Sequence, residues 1–283
     1  MGRLDGKVAF ITGVARGQGR SHAVRLAQEG ADIIGVDIAE QVQTSSWCAT
    51  ARAQDLADTV RLVENLDRRM IAHHADVRDL AALQAAVAHG VAELGRLDVV
   101  CANAGIANSG AAWELTEDQW QEMLDINLTG VWKTIKAAVP TMIEAGQGGS
   151  VVLISSIAGM EGLVNLAHYT AAKHGVVGLM RSLAAELAPH AIRCNTIHPG
   201  FVDTPLLDNP RVYQLFAGTE GADRRTAEPS FVALNALKTP WLDRVDISNA
   251  VLWLASDEAR YVTGNTQLID AGSRIPFKIP HEY

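Results

Sequence analysis

The sequence predicts an α/β fold built on one doubly wound parallel sheet of seven strands, with helices on both faces. Three observations predict it. Short apolar runs alternate with amphipathic stretches of helical length along the chain, and helix-length connections imply parallel strands joined by right-handed crossovers. The apolar runs are nearly continuous, as strands covered on both faces require. The first run leads into a glycine-rich turn and then a helix, "KVAFITGVARGQGR", which is the opening of a Rossmann-like sheet.

Each element has a local reason. "KVAFIT", residues 7–12, is the first strand. The helix over 19–30 puts Ala23, Leu26 and Ala27 on one face and stops at Gly30. "ADIIGVD" is the second strand, and the helix over 56–69 carries Leu56, Val60, Val63 and Leu66 at helical spacing. "MIAHHADV" is the third strand, and "LAALQAAVAHGVAELG" a helix ending at Gly95. "LDVVCANAG" is the fourth strand running into a loop, followed by a long helical region over 116–144. "GSVVLISS" is the fifth strand, and the helix over 168–190 is stopped by Pro189. "AIRCNTIHPG" is the sixth strand, and a seventh is expected at "TQLIDAG".

The 283 residues suit one large domain or two small ones. No repeat or linker divides the chain, so a single domain over 1–283 is expected. It carries two irregular additions. One is an insertion of about 40–54, a polar stretch with Trp47 and Cys48. The other is the segment 201–245, rich in Pro, Asn, Asp and Arg; so long a stretch reads as a substrate lid. A net charge of −8 argues against a nucleic-acid partner. No run approaches the length of a membrane span, and the start "MGRLDGKVAFITG" lacks a secretory pattern. Cys48, Cys101 and Cys194 are too few and scattered for a disulfide framework or zinc ribbon. The nine His residues show no paired metal spacing. A cytoplasmic protein with ordinary thiols and no catalytic metal is expected.

The turn "TGVARGQG" supplies Gly13, Arg16, Gly17, Gln18 and Gly19. Glycines there let the backbone approach a pyrophosphate, and the helix N-terminus offers free N–H groups and partial positive charge. Asp37 ends the second strand, followed by Ile38. A carboxylate there accepts from both ribose hydroxyls of NAD and repels a 2′-phosphate. Arg16 argues the other way, toward NADP, but it would have to overcome that repulsion, so NAD is expected. Asp76 and Val77 end the third strand where an adenine would lie; a turn-forming role for Asp76 is equally open.

Tyr169 and Lys173 in "YTAAK" share a helix face at i and i+4. A phenol of ordinary pKa about 10 is a poor base, and a nearby ammonium or a positive nicotinamide ring favours the phenolate. Such a Tyr takes a proton from an alcohol as hydride leaves, or protonates a carbonyl in reverse. Ser156 lies at the carboxyl end of the fifth strand, the ligand edge of such sheets, where its hydroxyl can hold a substrate oxygen. The adjacent Ser155 should point the other way.

"TGVARGQG", "NAG", Asn127 in "DINLTG", Ser156, "YTAAK" and "HPG" occur in order over almost the whole chain. Together they resemble the short-chain dehydrogenase/reductase family. The resemblance implies Tyr169 as catalytic base, Ser156 as substrate-orienting hydroxyl, and Lys173 as the residue that lowers the Tyr pKa and binds the nicotinamide ribose. It implies Asn127 at a helix kink, holding a water in a proton relay. It places Asn103, Ala104 and Gly105 under the cofactor, and Pro199, Gly200, Val202 and Thr204 at its nicotinamide end. Gln18 stands where the family often has Ile, and Ala102 where it has Asn. The helices over 168–190 and 131–142 are implied to build a homotetramer. The insertion after Asp37 resembles the mycofactocin-coupled, carveol dehydrogenase-like subfamily. That implies NAD retained between turnovers, with electrons leaving through an external redox carrier. Coming just after Asp37, the insertion is then read as a cover over the adenosine end with Trp47 as its plug, a surface excursion being the alternative.

His168, beside Tyr169, is placed where it could touch substrate, but the first expectation is that it faces solvent or packs on its helix. Trp113 and Trp120 suit a pocket wall, a core or an interface equally. Phe201, Leu206, Leu207, Tyr213, Leu215 and Phe216 in the lid suggest an apolar substrate, such as a cyclic terpenoid or steroid alcohol. The expected activity is hydride transfer between NAD and a small-molecule secondary alcohol or ketone. A 3-oxoacyl carrier-protein reductase is the alternative within enzymes; Asp37 and the negative charge argue against it. A non-catalytic NAD-binding protein is the alternative outside them; the intact Ser156, Tyr169 and Lys173 set argues against that.

Overall fold

A computed structural model describes residues 2–44 and 49–275; Trp47 and Cys48 lie outside the described residues. Seven strands form one sheet: β1 (Val8–Thr12), β2 (Asp32–Asp37), β3 (Met70–His74), β4 (Val99–Ala102), β5 (Gly149–Ile154), β6 (Ile192–Pro199) and β7 (Thr266–Ile269). All pairs are parallel and the order is β3-β2-β1-β4-β5-β6-β7. The chain therefore reverses its direction of travel across the sheet between β1 and β4, and the carboxyl edge opens there into a crevice.

The first helices, α1 (Gly17–Gln28) and α2 (Ala53–Glu64), lie on one face with α9 (Arg244–Ala255). Their side chains Ala23, Leu26, Leu56, Val63, Ile247 and Val251 pack with Ile11 and Ile33 of the strands. The other face is covered by α3 (Leu80–Leu94), α5 (Gly130–Ala145) and α6 (Ala167–Leu187), through Leu83, Val87, Ile135, Met142, Val176 and Met180 against Phe10 and Leu153. Two cores, one on each face, explain why the strands read as continuous apolar runs. No helix among the described residues is long and apolar enough to cross a membrane.

Two regions depart from the expectation. The helical stretch over 116–144 is α4 (Glu117–Leu124), a π turn over Asp125–Thr129, then α5. Thr116 caps its start, accepting from the Gln119 N–H while the Gln119 side chain accepts from the Thr116 N–H. The segment 201–245 is not irregular throughout. It holds α7 (Pro210–Ala217) and α8 (Arg224–Leu234), capped by Asn209 and Asp223. Both caps are polar residues of the kind that made the segment look like loop. The two helices have their own small core of Val212, Tyr213, Ala227 and Phe231.

His22 of α1 is fully enclosed. Its Nδ1 shares a hydrogen bond with Ser248 Oγ of α9 at 2.8 Å, while Nε2 is buried without a partner among the described residues. Burial drives its pKa from 6.5 down to about 3. The unfolded chain takes up this proton below the ordinary pKa, and the folded chain only near the depressed one. Stability is therefore lost as pH falls between those limits, by roughly 1.4 kcal/mol per pH unit. We expect His22→Gln to flatten the acid limb of stability, measured as urea midpoints from neutral to weakly acid pH. Parallel limbs in the two proteins would show that His22 does not drive the loss.

Candidate active site

The glycine turn leaves β1 and enters α1, and at two of its glycines there is no room for a side chain. At Gly13 the backbone is left-handed (φ +67°), and an added Cβ would stand 2.8 Å from the Ala104 Cα. At Gly19 it would stand 2.0 Å from the Gly13 carbonyl oxygen. The loop after β4 is clamped to the same turn. The N–H groups of Asn103 and Ala104 both donate to Thr12 Oγ1 at 3.1 Å. The Asn103 amide donates back to the carbonyls of Thr12 (3.0 Å) and Gly13 (3.2 Å). Thr12 was not singled out from the sequence; a Thr ending a strand carries no signal until its loop partner is known.

Asp37 is buried at the end of β2. Its Oδ2 accepts from the Ala15 N–H and its Oδ1 from the Ala39 N–H, each at 2.9 Å. Two backbone donors fix the carboxylate at the mouth of the crevice and leave it further lone pairs for a ligand hydroxyl. Arg16 does not stand free to receive a phosphate: its guanidinium donates to the Ala49 carbonyl on the returning limb of the insertion.

A cleft enclosing about 990 Å³, its solvent mouth included, runs along this edge. Gly13, Arg16, Gly17, Gln18 and Gly19 line one wall, and Asp37, Ile38, Asp76 and Val77 line the far end. Asn103, Ala104, Gly105 and Thr204 line the rest of the predicted set, together with Val42, Thr50 and Ala51 of the insertion. Those three had no motif to mark them. A second pocket of about 730 Å³ holds Ser156, Tyr169, Pro199, Gly200 and Val202. Its remaining walls are largely apolar, with Leu163, Leu166, Phe201, Leu207, Val212 and Phe216. Gln18, Thr204 and Leu206 line both cavities, so the two meet. Of the lid residues expected here, Tyr213 and Leu215 line neither cavity. Nor do the tryptophans line either of these cavities: Trp113 is 87% exposed and Trp120 40%.

Lys173 and Asn127 lie behind the cavities and touch their linings. Lys173 Nζ donates to the Ile154 carbonyl at 2.9 Å and sits 5.6 Å from the centre of the Tyr169 ring. Asn127, in the π turn, is fully buried. Its Oδ1 accepts from the Ile106 N–H at 2.9 Å and its Nδ2 donates to the Ile106 carbonyl at 2.8 Å. Ser155, expected to point the other way, also lines this pocket, but its hydroxyl is taken up by the Lys173 carbonyl at 3.0 Å. His198 of "HPG" braces Ser156, its Nδ1 paired with the Ser156 carbonyl at 2.8 Å. His168, expected to face solvent or pack on its helix, does not face solvent: it is fully buried.

Burial dominates the titration of the central pair. It raises the Tyr169 pKa above its ordinary 10, against a hydrogen bond from Ser156 that lowers it. It pushes Lys173 down from 10.5 to about 8. The expected lowering of the phenol by Lys173 is therefore not the leading effect in the protein alone; desolvation outweighs it. The nearby segment 201–245 is braced by Arg224, whose two nitrogens donate to the two Asp203 oxygens at 2.9 and 3.1 Å while its guanidinium stacks 4.3 Å from the Trp241 ring. The arrangement can cradle a dinucleotide along the cleft and bring an apolar molecule bearing one hydroxyl or carbonyl against Ser156 and Tyr169.

A family model described as enoyl-(acyl carrier protein) reductase matches residues 13–274. A (-)-trans-carveol dehydrogenase from Rhodococcus erythropolis is 50% identical over 277 residues, covering 97% of this chain and 100% of the relative. The crystal structure of a carveol dehydrogenase from Mycobacterium avium in complex with NAD superposes with a TM-score of 0.95 at 50% identity, over 97% of this chain and 100% of that one. A short chain dehydrogenase from Mycobacterium paratuberculosis bound to NAD gives 0.89 at 46% identity, over 96% and 99%.

Gly105 shows how tightly these parts are fitted. An added Cβ would stand 2.8 Å from Asn127 Oδ1 and 3.7 Å from Lys173 Nζ. We expect Gly105→Ala to destabilise the protein by about 1–3 kcal/mol and to weaken dinucleotide binding, measured by thermal melts with and without NAD. An unchanged melting curve would mean that Asn127 can retreat without cost.

Proposed function

The chain belongs to the short-chain dehydrogenase/reductase family, and from that premise we propose that it is an NAD-dependent enzyme interconverting an apolar, cyclic secondary alcohol, terpenoid- or steroid-like, and its ketone. The carrying observation is that the glycine-walled cleft and the apolar pocket meet at Gln18, Thr204 and Leu206, with Ser156 and Tyr169 in the second. The residues fit NAD. Gly13, Gly17 and Gly19 leave space for a pyrophosphate at the α1 N-terminus, and Asp37 presents a fixed carboxylate to a ribose. Arg16 and Gln18 belong to the same wall, Ile38, Asp76 and Val77 to the adenine end. Asn103, Ala104 and Gly105 form the floor, and Lys173, Pro199, Gly200, Val202 and Thr204 the nicotinamide end. When bound, NAD supplies the hydride acceptor in oxidation and the donor in reduction.

The chain's own residues handle the proton. Ser156 holds the substrate oxygen, and Tyr169 takes the hydroxyl proton in oxidation or returns it in reduction. Because burial alone keeps the phenol protonated, its ionisation depends on positive charge nearby, which is the part we give to Lys173. Asn127, at the π turn, is assigned to the path by which the proton reaches solvent through water. The carrier-protein substrate in the matched family description is disfavoured by the fixed Asp37, which selects against NADP, and by the net charge of −8.

We assign the whole chain to one catalytic domain with a lid over 201–245, and read it as a cytoplasmic homotetramer built on α5 and α6. The insertion over 40–54 is assigned to cover the adenosine end and slow NAD exchange, with an external redox carrier taking the electrons. Val42, Thr50 and Ala51 in the cleft lining, and the Arg16 bond to Ala49, support that reading.

Two outcomes test these assignments. Tyr169→Phe is expected to lower alcohol turnover at least a hundredfold while NAD still binds, as measured by NADH absorbance and calorimetry; full activity would remove Tyr169 from the mechanism. Protein denatured after purification is expected to release NAD(H), and an artificial electron-accepting dye to sustain faster turnover than added NAD. Equal rates with the two oxidants would argue for free exchange.

A further inference from the structure

A continuous run of hydrogen bonds starts beside Tyr169 and ends at the adenine end of the cleft, and none of its central members lines either cavity. Its midpoint is Asn108, in the loop after β4, which is 1% exposed. The Asn108 Oδ1 faces Nε2 of His168, the residue before Tyr169 in the first turn of α6. An amide oxygen only accepts, so Nε2 carries the imidazole proton. The Nδ1 of His168 is buried with no partner among the described residues, so the ring's orientation rests on Asn108. The Asn108 Nδ2 donates to the Thr44 carbonyl at 3.2 Å. Thr44, in the insertion, donates its N–H at 2.7 Å and its hydroxyl to Glu122 Oε2. The other Glu122 oxygen accepts from Arg78 at 2.9 Å, and Arg78 donates to Asp76 at 2.8 Å.

A buried amide and a buried imidazole keep one geometry only while their partners are in place. Thr44 supplies one of those partners and is itself held by Glu122. The insertion thus reaches the helix turn that carries Tyr169, by way of two buried side chains. We propose that Asn108 and Glu122 are positioning residues that couple the insertion to Tyr169, so that the hydride step runs at full rate only when the insertion is seated. A plain cover would affect cofactor exchange alone. The proposal rests on the reading of Tyr169 as the proton-transfer residue.

The test uses the full chain saturated with NAD and the variants Glu122→Ala, Glu122→Gln and Asn108→Ala. Single-turnover NADH formation is followed with carveol as the probe alcohol, NAD release is followed separately, and the His168 imidazole is observed by ¹⁵N NMR. Its signals are identified by their loss in His168→Gln. Glu122→Ala is expected to slow the hydride step about fivefold and to shift the His168 signals, and Glu122→Gln to restore most of both. Combining Glu122→Ala with Asn108→Ala is expected to cost no more than the worse single change, as for members of one network. A wild-type hydride rate in Glu122→Ala with faster NAD release overturns the coupling and leaves the insertion a cover. Unmoved His168 signals overturn it equally, and need no substrate. If Asn108→Ala does not fold, Glu122→Ala decides. Full activity in Tyr169→Phe would instead overturn the reading of Tyr169, whatever the His168 signals do.

Discussion

Between β1 and β4 the sheet's carboxyl edge opens, and Thr12 fixes how far. Its hydroxyl receives two backbone N–H groups from the loop that leaves β4, while Asn103 returns two hydrogen bonds to the turn that leaves β1. A crevice between two diverging loops would otherwise be the softest part of such a sheet. Everything on either side is placed by reference to it. The glycine turn cannot bulge, because Ala104 lies against Gly13. Gly105 and Ile106 continue straight into contact with Asn127 and Lys173. The floor of the cleft and the backbone beside Asn127 and Lys173 are therefore one segment, held at one end by a threonine.

The central pair illustrates how an apolar site works against its own chemistry. Excluding water raises the cost of a phenolate and of an ammonium alike, and the shifts of Tyr169 and Lys173 run in those opposite directions. Polar contacts oppose this locally: the Ser156 hydrogen bond on the phenol, and the Ile154 carbonyl beneath the ammonium. Ser156 is in turn steadied by His198, whose other nitrogen shares a hydrogen bond with Thr196 at 2.8 Å. The same dryness that comes with the pocket's apolar walls thus demands a built set of neighbours for each titrating group.

The strands and most helices were legible in the sequence because burial on both faces writes itself as continuous apolar runs and helical spacing. Asp37, Ser156 and the Tyr169–Lys173 spacing were legible because their positions relative to strand ends are fixed by topology. Thr12, Asn108 and Glu122 were not. Their significance comes from partners distant along the chain, and a lone Thr, Asn or Glu carries no periodic or motif signal. The burial of His168 was not legible for the same reason: its partner is Asn108, which the sequence does not bring near it. Helices α7 and α8 were obscured by their caps, since Asn209 and Asp223 look like loop residues until the turn that follows them is seen.

The π turn at Asp125–Thr129 has a consequence for how this helix can evolve. A π turn holds one more residue than the α-helical path it replaces, so removing a single residue there would leave a regular helix with everything beyond it facing as before. Val131, Ile135 and Met142 would keep their places in the core, and Gly130, whose added Cβ would stand 2.7 Å from Val77 Cγ2, its seat against the cleft wall. What the deletion would disturb is the turn itself, from which Asn127 reaches both backbone groups of Ile106. The bulge is therefore kept by the contact it makes and not by the helix that follows it.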